Sequence, residues 1–288
     1  MKFFTFLKIK LNLKRKVNCS LKSEVKRMFF GVRTLPEISW EEEKKFWQEY
    51  AQIYRNLEKA TPYKFLNKAI LNFIEPKEGE IWLDAGCGPA KMSQLIWQKS
   101  QKKVQKIVGV DIVLKPALET LANEEKGFPL ELIEANLGSF LPFKDETFDG
   151  IVANFVLPYV IEFNGKRGKE ALVGVLKEMY RVLKPGGVLV WSTPKKNVHF
   201  EWVFLASLPD MLNPYVYVVK KDIGRIIQGT RILRHALQIQ EKGRLGIYNF
   251  LSKEELEEIH YKIGFRRTYW KKTFARQVWV IKAIKLTC

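Results

Sequence analysis

The most constraining feature of this sequence is the stretch IWLDAGCGPAKMSQL, residues 81–95. An apolar run ends at Asp84, two glycines follow at alternate positions, Gly86 and Gly88, and the next residues have helical spacing. A strand, a tight glycine loop and a helix in this order are typical of α/β proteins that bind nucleotides. The stretch therefore predicts an α/β fold with a ligand site where this strand ends.

The rest of the chain alternates short apolar runs with segments of helical spacing, which predicts a parallel sheet covered by helices on both faces. The last two runs, 265–274 and 277–285, are joined only by Ala275 and Arg276. Because so short a connection cannot make a parallel crossover, we expect an antiparallel final hairpin. The predicted elements are strands at 106–111, 130–136, 148–156 and 187–194, and helices at 115–125 and from about 169.

Positive charge is concentrated at the N-terminus of the chain. The 288 residues carry a net charge of +18, and residues 1–35 hold ten Lys and Arg against the single Glu24. Such a block is either a solvated tail or a segment attracted to anionic lipid or nucleic acid. We divide the chain into a basic, flexible N-terminal segment (1–38) and a folded domain (39–288) with N-terminal capping helices (39–78) and an insertion (199–248).

Cysteine usage and hydrophobicity predict a cytoplasmic protein. Cys19, Cys87 and Cys288 are scattered, with no CxxC pair, so we expect reduced thiols and no metal site. No apolar run approaches the roughly 18 residues that a membrane span needs. Lys8 and Lys10 interrupt the apolar start, which is unlike a secretory signal. The basic segment still allows peripheral contact with an anionic membrane.

Two phosphate-binding interpretations of the glycine loop fit poorly. A Walker A loop with its lysine at Lys91 would need glycine at Ala85 and Ala90, and a hydroxyl residue at Met92. A dinucleotide fingerprint would need its third glycine at Lys91. Asp84 would also stand close to a pyrophosphate and repel it, although a helix N-terminus attracts anions.

A cationic ligand fits the loop better. S-adenosylmethionine (SAM) carries a sulfonium and an ammonium group, so a carboxylate at Asp84 is favourable. The two glycines let the backbone approach the ligand closely. The second strand ends at Asp111, whose carboxylate can accept hydrogen bonds from both ribose hydroxyls. Ligands of open α/β sheets bind at such adjacent strand ends, so we expect SAM as the cofactor.

The chain resembles the class I SAM-dependent methyltransferases, of the kind with a methyltransferase-11-like core. The matching stretches stand in the family's order: LDAGCGPA (83–90), GVDI (109–112), ANLGSFLPFKDETFDGIVAN (135–154) and RVLKPGGVLV (181–190). The resemblance implies an α/β, Rossmann-like methyltransferase fold over 39–288, with a seven-stranded sheet in the order 3-2-1-4-5-7-6. It also implies that only the last strand is antiparallel and that the insertion is a helical lid.

The resemblance also implies a set of cofactor-binding residues. Ala90 departs from a frequent third glycine, and Asn136 replaces a frequent aspartate, so it is either an adenine contact or a turn residue. Tyr54 is at the position of a tyrosine over the cofactor, although Arg55 replaces the acid that usually follows. The implied residues are Tyr54, Asp84, Gly86, Gly88, Asp111, Ile112, Asn136, Leu137 and Asn154.

The composition of the insertion at 199–248 indicates which class of molecule accepts the methyl group. It opens with an apolar part and continues with a basic amphipathic helix, where 220–244 holds seven Lys and Arg against two acids. We expect a hydrophobic small-molecule acceptor, quinone-, isoprenoid- or lipid-like, collected near an anionic membrane. Tyr159 either faces the expected acceptor or is only a residue of the site's wall. His199 is the best-placed histidine for a general base, with a structural role as the alternative, and no catalytic residue is assigned.

Two other functions remain open. The basic charge also suits an RNA or protein methyltransferase, although the sequence contains no recognisable RNA-binding module. A scaffold protein that binds SAM without catalysis would keep the same fold. The acceptor atom and the oligomeric state do not follow from the sequence.

Overall fold

A computed structural model of the chain describes residues 40–57, 60–124, 127–211 and 224–287. The described residues belong to one unit of the chain, Ser39–Cys288. Within them, nine strands occur: β1 Ile81–Ala85, β2 Lys106–Asp111, β3 Leu130–Glu134, β4 Phe148–Ala153, β5 Glu162–Phe163, β6 Lys166–Arg167, β7 Leu183–Pro194, β8 Phe265–Thr273 and β9 Val278–Lys285.

The described residues also form eight α-helices, which connect or cover these strands. A short 3₁₀ helix, Leu157–Tyr159, follows β4. The α-helices are α1 Trp40–Leu57, α2 Thr61–Leu71, α3 Lys91–Lys99, α4 Lys115–Leu121, α5 Lys169–Val182, α6 Phe200–Met211, α7 Gly224–Arg244 and α8 Lys253–Ile263.

The central sheet has seven strands in the order β3-β2-β1-β4-β7-β9-β8. The small hairpin of β5 and β6 lies outside it, so the order is 3-2-1-4-5-7-6 when only the sheet strands are counted. All neighbours are parallel except β9, which runs antiparallel to both β7 and β8. The predicted methyltransferase sheet, with its last strand antiparallel, is confirmed.

Both faces of the sheet are buried. Neighbouring residues of a strand point to opposite faces, so each strand contributes side chains to both. In β1, Leu83 and Ala85 pack into one apolar cluster, and Trp82 packs into the other. Helices α5 and α8 contribute to the first cluster, whereas α2, α3, α6 and α7 contribute to the second. The insertion helices α6 and α7 thus share a face with α2, as does the aromatic side of α1.

The pair Thr61-Pro62 in the sequence predicts Thr61 as the N-cap of α2, but the helix begins differently. The N-cap residue is Ala60, and no side chain of its own turn caps the helix. The Asp210 carboxylate instead accepts hydrogen bonds from Thr61 N (2.7 Å) and Thr61 Oγ1 (2.9 Å). A carboxylate near a helix N-terminus also interacts favourably with the helix dipole. The end of α6 is therefore fastened to the beginning of α2.

The sequence predicts a capping box of Ser252 and Glu255 at the start of α8 and a glycine, Gly264, at its end, and the structure has both. Ser252 Oγ accepts from Glu255 N, and the Glu255 carboxylate accepts from Ser252 N at 2.9 Å, which completes a capping box. Gly264, with φ of 125°, ends the helix. The stretch SWEE (39–42) predicts a further capping box, but its first residue, Ser39, lies outside the described residues.

Among the helices that the structure describes, none has the length and hydrophobicity of a membrane span.

The strand predicted at 187–194 begins four residues earlier, at Leu183, because KPGG continues the strand instead of preceding it. The helix predicted at 115–125 ends at Leu121. The division between a basic segment at 1–38 and a domain at 39–288 stays a prediction.

Candidate functional site

The glycine loop after β1 repeats a left-handed backbone conformation at every second residue. Gly86, Gly88 and Ala90 have φ values of 70°, 50° and 58°. Glycine adopts such angles freely, whereas a Cβ costs roughly 1–2 kcal/mol. The third position therefore favours glycine for a backbone reason, and Ala90 is strained where it precedes α3.

Asp84 lies at the carboxyl end of β1 and is 1% exposed. Its Oδ2 accepts hydrogen bonds from Ser93 N (2.9 Å) and Ser93 Oγ (2.6 Å), in the first turn of α3. Burial raises the pKa of Asp84 to about 6, opposed by the two bonds from Ser93. Asp84 thus holds α3 to the end of β1, and both of these bonds use the same carboxylate oxygen.

Asp111 ends the adjacent strand β2 and reaches the same loop. Its Oδ2 accepts from Gly88 N at 2.9 Å, and its Oδ1 accepts from Val113 N at 3.0 Å. Burial raises the pKa of Asp111, and these backbone N–H groups oppose the rise because they stabilise the carboxylate. The β2 backbone adds a second tie, since Val110 O accepts from Gly86 N at 2.7 Å.

The two loop glycines face different surroundings. A Cβ on Gly86 would come within 2.5 Å of Val156, so the side chain after β4 packs directly on this glycine. A Cβ on Gly88 would meet no atom within 4 Å. The loop therefore has a packed side at Gly86 and an open side at Gly88.

Asn154 follows β4 and belongs to a short polar chain. Its Oδ1 accepts from Ser192 Oγ at 2.7 Å, and Ser192 Oγ accepts from Phe155 N at 2.9 Å. Phe155 has a φ of 54°, which is uncommon for a residue with a large side chain. The ends of β4 and β7 are thus joined beside the glycine loop.

Asn136 and Leu137 follow the end of β3. Asn136 Oδ1 accepts from Gly138 N at 2.8 Å, as a turn residue would. Leu137 is 5% exposed in the core, and Ile112, after β2, is partly buried. The predicted residues of β1 to β4 therefore share the carboxyl edge of the sheet. The Tyr54 side chain lies outside the described residues.

An aromatic cluster lies beyond the end of β4. Trp47 of α1 contacts Tyr159 (ring centroids 5.1 Å apart) and Tyr248 (6.4 Å), and Tyr159 also contacts Phe250 at 5.8 Å. Tyr159 is 8% exposed, so little of its side chain reaches solvent. Residues of α1, of the segment after β4 and of the segment after α7 meet in this cluster.

A second aromatic group continues the wall toward the glycine loop. Tyr63 of α2 contacts Phe155 (6.4 Å) and Phe274 (4.7 Å), and its hydroxyl oxygen lies 3.4 Å from that of Tyr50. Because Phe155 neighbours Val156, which packs on Gly86, this aromatic wall borders the predicted cofactor loop.

The three histidines occupy different environments. The His199 side chain is 57% exposed at the start of α6, so it is not a buried residue of the site. His260 is fully buried, accepts from Trp191 Nε1 at 3.1 Å through Nε2, and donates from Nδ1 to Leu256 O. Burial lowers the pKa of His260 to about 4, which makes it a neutral structural residue. His235 packs against α1 near Phe46.

Sequence reasoning missed a buried ion pair between α1 and α7. Glu43 is 3% exposed, pairs with Lys242, and accepts from the Tyr248 hydroxyl at 2.9 Å. Lys242 Nζ also lies 4.4 Å from the Phe46 ring centre. The sequence signal for this pair was a glutamate at position 43, on the same side of the helix as the aromatic residues at 46, 47 and 50.

In the described part of the chain, no group of three or more His, Cys, Asp or Glu side chains could hold a metal.

Residues 83–191 match a family model described as a methyltransferase domain. A human protein named as a probable tRNA methyltransferase 9B is 36% identical over 130 residues, which cover 44% of this chain and 25% of that protein. Demethylmenaquinone methyltransferase of Staphylococcus epidermidis is 29% identical over 220 residues, covering 76% of this chain and 80% of that protein. The chain thus spans a quarter of the first relative and four-fifths of the second.

The fold is shared with a solved SAM-dependent methyltransferase of Aquifex aeolicus. The two superpose with a TM-score of 0.52 at 18% identity, over 82% of this chain and 98% of the other. The superposition covers 82% of this chain, whereas the family model matches residues 83–191.

Proposed function

Residues 83–191 are a methyltransferase domain of the class I, SAM-dependent kind, and from this premise we propose that the whole chain transfers a methyl group from SAM to a small hydrophobic acceptor. The observation that carries the acceptor class is the aromatic wall beside the glycine loop, which includes Trp47, Tyr63, Phe155 and Tyr159. A wall of this kind suits a flat, apolar molecule better than a charged one.

The residues at the carboxyl edge fit SAM. The space beyond Gly88 leaves room for a ligand next to the backbone. Asp84 places a buried carboxylate near a sulfonium or ammonium group, and its Oδ1 makes no bond to Ser93. Asp111 would take the ribose hydroxyls, with Ile112, Asn136 and Leu137 around the adenine. Tyr54, Gly86 and Asn154 complete the proposed set.

The chain's own contribution to methyl transfer is alignment and the exclusion of water. SAM supplies a methyl group that positive sulfur already activates, so positioning can provide much of the acceleration. The Val156 side chain packs on Gly86, and Phe155 and Tyr63 continue the apolar wall. These side chains would keep water from the space in which the acceptor meets the cofactor.

The names of the relatives support the acceptor class without deciding it. The Staphylococcus epidermidis relative is named for demethylmenaquinone, and this chain matches that relative over most of its length. The human relative is named for tRNA, but only 25% of that protein is matched. The hydrophobic acceptor is therefore the first candidate, and RNA is the second.

We also propose that the acceptor is collected at an anionic membrane surface. Three large apolar side chains of two packed helices are exposed: Phe65 of α2 (60%) and Trp202 and Leu205 of α6 (59% and 48%). Arg231 and Arg234 of α7 add positive charge on a helix that packs against α6. Apolar side chains flanked by basic ones favour binding to anionic lipid.

Vesicle sedimentation tests this surface. Wild type should sediment with phosphatidylglycerol vesicles, and a variant with Trp202→Ser and Leu205→Ser should sediment several-fold less. Exposed Tyr269 on β8 provides the control, because Tyr269→Ser removes a similar apolar area elsewhere. Equal sedimentation of all three proteins would remove membrane contact from the proposal.

The function itself is tested with SAM carrying a radioactive methyl group. Purified protein is incubated with labelled SAM and short-chain demethylmenaquinol, or with total tRNA, or with a protein extract. We expect label in the organic phase with the quinol, and little in the acid-precipitated RNA or protein. Label in RNA or protein would favour the macromolecular substrates, and SAM binding without transfer to any acceptor would favour a scaffold.

A further inference from the structure

A buried ring nitrogen of His235 has no hydrogen-bond partner among the described residues. His235 lies on α7, and its Nδ1 is shielded from solvent. Its ring packs against α1, with centroids 5.6 Å from Phe46 and 6.2 Å from Tyr50. No other described side chain has a fully buried nitrogen or oxygen without a partner.

Such an atom calls for a partner, because leaving a buried polar group unpaired costs roughly 1–3 kcal/mol. Buried polar atoms are paired in the large majority of cases, and exceptions occur at sites that bind ligands or water. His260 is the contrasting case in this protein, since both of its ring nitrogens have partners. His235 has the geometry of a binding residue more than that of a structural one.

His235 also lies at one end of the aromatic wall that borders the cofactor loop. Tyr50, next to the His235 ring, meets Tyr63 through their hydroxyl groups, and Tyr63 contacts Phe155. Val156, the residue after Phe155, packs on Gly86. A flat molecule lying along this wall would reach from the imidazole toward the place of methyl transfer.

We propose that His235 binds a hydroxyl group of the acceptor through Nδ1, and that the acceptor is therefore a flat, apolar molecule that bears a hydroxyl group, such as a phenol or a hydroquinone. This proposal rests on the proposed function and narrows its substrate class. His235 serves as a binding residue that selects the hydroxyl group and orients the acceptor.

The ionisation of the imidazole agrees with that role. Burial lowers the pKa of His235, Arg234 lowers it further, and Glu49 opposes them. The ring is therefore neutral at physiological pH and has one nitrogen with a free lone pair. When that nitrogen is Nδ1, it accepts a hydrogen bond from a hydroxyl group and has nothing to offer a methoxy group.

A matched pair of ligands tests the proposal. 2-Naphthol and 2-methoxynaphthalene have the same ring, but only the first can donate a hydrogen bond. Binding is measured by titration calorimetry with demethylated SAM (S-adenosylhomocysteine) present, so that no transfer occurs. Wild type should bind 2-naphthol about tenfold more tightly than 2-methoxynaphthalene, which corresponds to one hydrogen bond.

Two variants locate the source of the preference. His235→Phe keeps an aromatic ring and removes the nitrogen, so it should bind the two ligands equally, with unchanged affinity for S-adenosylhomocysteine. His199→Phe alters an exposed histidine and should keep the tenfold preference. If wild type binds neither ligand, or if His235→Phe keeps the preference, the proposal is wrong.

A measurement on wild type covers the case in which His235→Phe does not fold. The protein has three histidines, so their nitrogen-15 signals can be assigned with few variants. The Nδ1 signal of His235 should shift on addition of 2-naphthol and stay in place with 2-methoxynaphthalene. No difference between the two overturns the proposal. If the wild-type protein still binds SAM in that case, the proposed function stands. If the wild-type protein does not bind SAM, the proposed function itself is refuted.

Discussion

The carboxylate of Asp111 accepts a hydrogen bond from the backbone N–H of Gly88 at 2.9 Å, so the end of β2 holds the glycine loop that follows β1. The same carboxylate is the one that would bind the ribose of SAM. Loop and ligand would thus depend on one side chain, which is already fixed by a second bond from Val113 N. A carboxylate that is already held in place binds hydroxyl groups with little loss of side-chain entropy.

Replacing Asp111 should therefore weaken SAM binding strongly. Asp111→Ala removes the two hydrogen bonds that the ribose hydroxyls of SAM would donate to the carboxylate. A hydrogen bond to a charged group contributes about 1.5–3 kcal/mol, so we expect the dissociation constant for SAM to rise at least about 100-fold. Titration calorimetry measures the change. Glu134 pairs in register with Asp111 on β3 and has an exposed side chain, so Glu134→Ala is the matched control. Equal affinities of the two variants would exclude Asp111 from the site.

The open side of the glycine loop gives a second prediction. Gly88→Ala places a methyl group where no protein atom lies within 4 Å, in the space proposed for SAM. We expect SAM affinity to fall at least about tenfold, because the methyl group and the ligand compete for that space. Gly79 also has a positive φ, 78°, and equally open surroundings, but it lies in the turn before β1.

Gly79→Ala is therefore the control for backbone strain. Both variants should lose about 1 kcal/mol of unfolding free energy in urea, because each forces alanine into the left-handed region. Only Gly88→Ala should lose affinity for SAM. If both variants bind SAM as wild type does, the cofactor does not lie against Gly88.

A third prediction concerns the buried pair of Glu43 and Lys242, which joins α1 to α7. Glu43→Ala leaves the Lys242 ammonium without its counter-ion and should lower the unfolding free energy by about 3 kcal/mol. Lys44, the next residue of α1, forms a more exposed pair with Glu134, and Lys44→Ala should cost less than about 1 kcal/mol. Urea denaturation compares the two. Equal losses would show that the buried pair does not stabilise the contact of α1 with α7.

Much of the fold could be predicted from the sequence, because strands and loops leave local patterns. The apolar run that ends at Asp84 gave β1, and the two-residue link at Ala275 and Arg276 gave the antiparallel hairpin of β8 and β9. The strand order came from resemblance to a family and was confirmed by the sheet. Such patterns span a few residues, so they can be read without tertiary structure.

The acceptor side could not be predicted in the same way. Lys242 is 199 residues from Glu43 along the chain, and Asp210 is 149 residues from Thr61. No local pattern encodes such pairs, since each depends on how α6 and α7 pack against the N-terminal helices. The role of His199 stays a prediction, and the sequence did not single out His235, because only packing distinguishes the exposed His199 from the partly buried His235.

The acid sensitivity of folding gives a fourth prediction. His260 has a folded pKa of about 4, below its ordinary value of about 6.5, because it is buried. As pH falls from 6.5 to 4, the unfolded chain takes up a proton that the folded chain does not, so stability is lost in this window. His260 should therefore cost wild type about 2–3 kcal/mol of unfolding free energy between pH 7 and pH 4.5.

His260→Gln isolates this contribution. Glutamine can still accept from Trp191 Nε1 but does not titrate, so the variant should lose less stability than wild type over the same pH interval. The comparison is needed because Asp84, with its raised pKa of about 6, acts in the opposite direction. Urea denaturation at pH 7 and pH 4.5 measures both proteins. Identical pH profiles would show that His260 is not buried in its neutral form.

The most direct test is titration calorimetry of the purified wild-type chain with four ligands: SAM, S-adenosylhomocysteine, NAD and ATP. The carboxylates Asp84 and Asp111 at the ends of β1 and β2 predict that each protein molecule binds one SAM or one S-adenosylhomocysteine. They also predict no measurable uptake of NAD or ATP, whose phosphates the carboxylates repel. Uptake of NAD or ATP without uptake of either adenosyl compound would contradict the account.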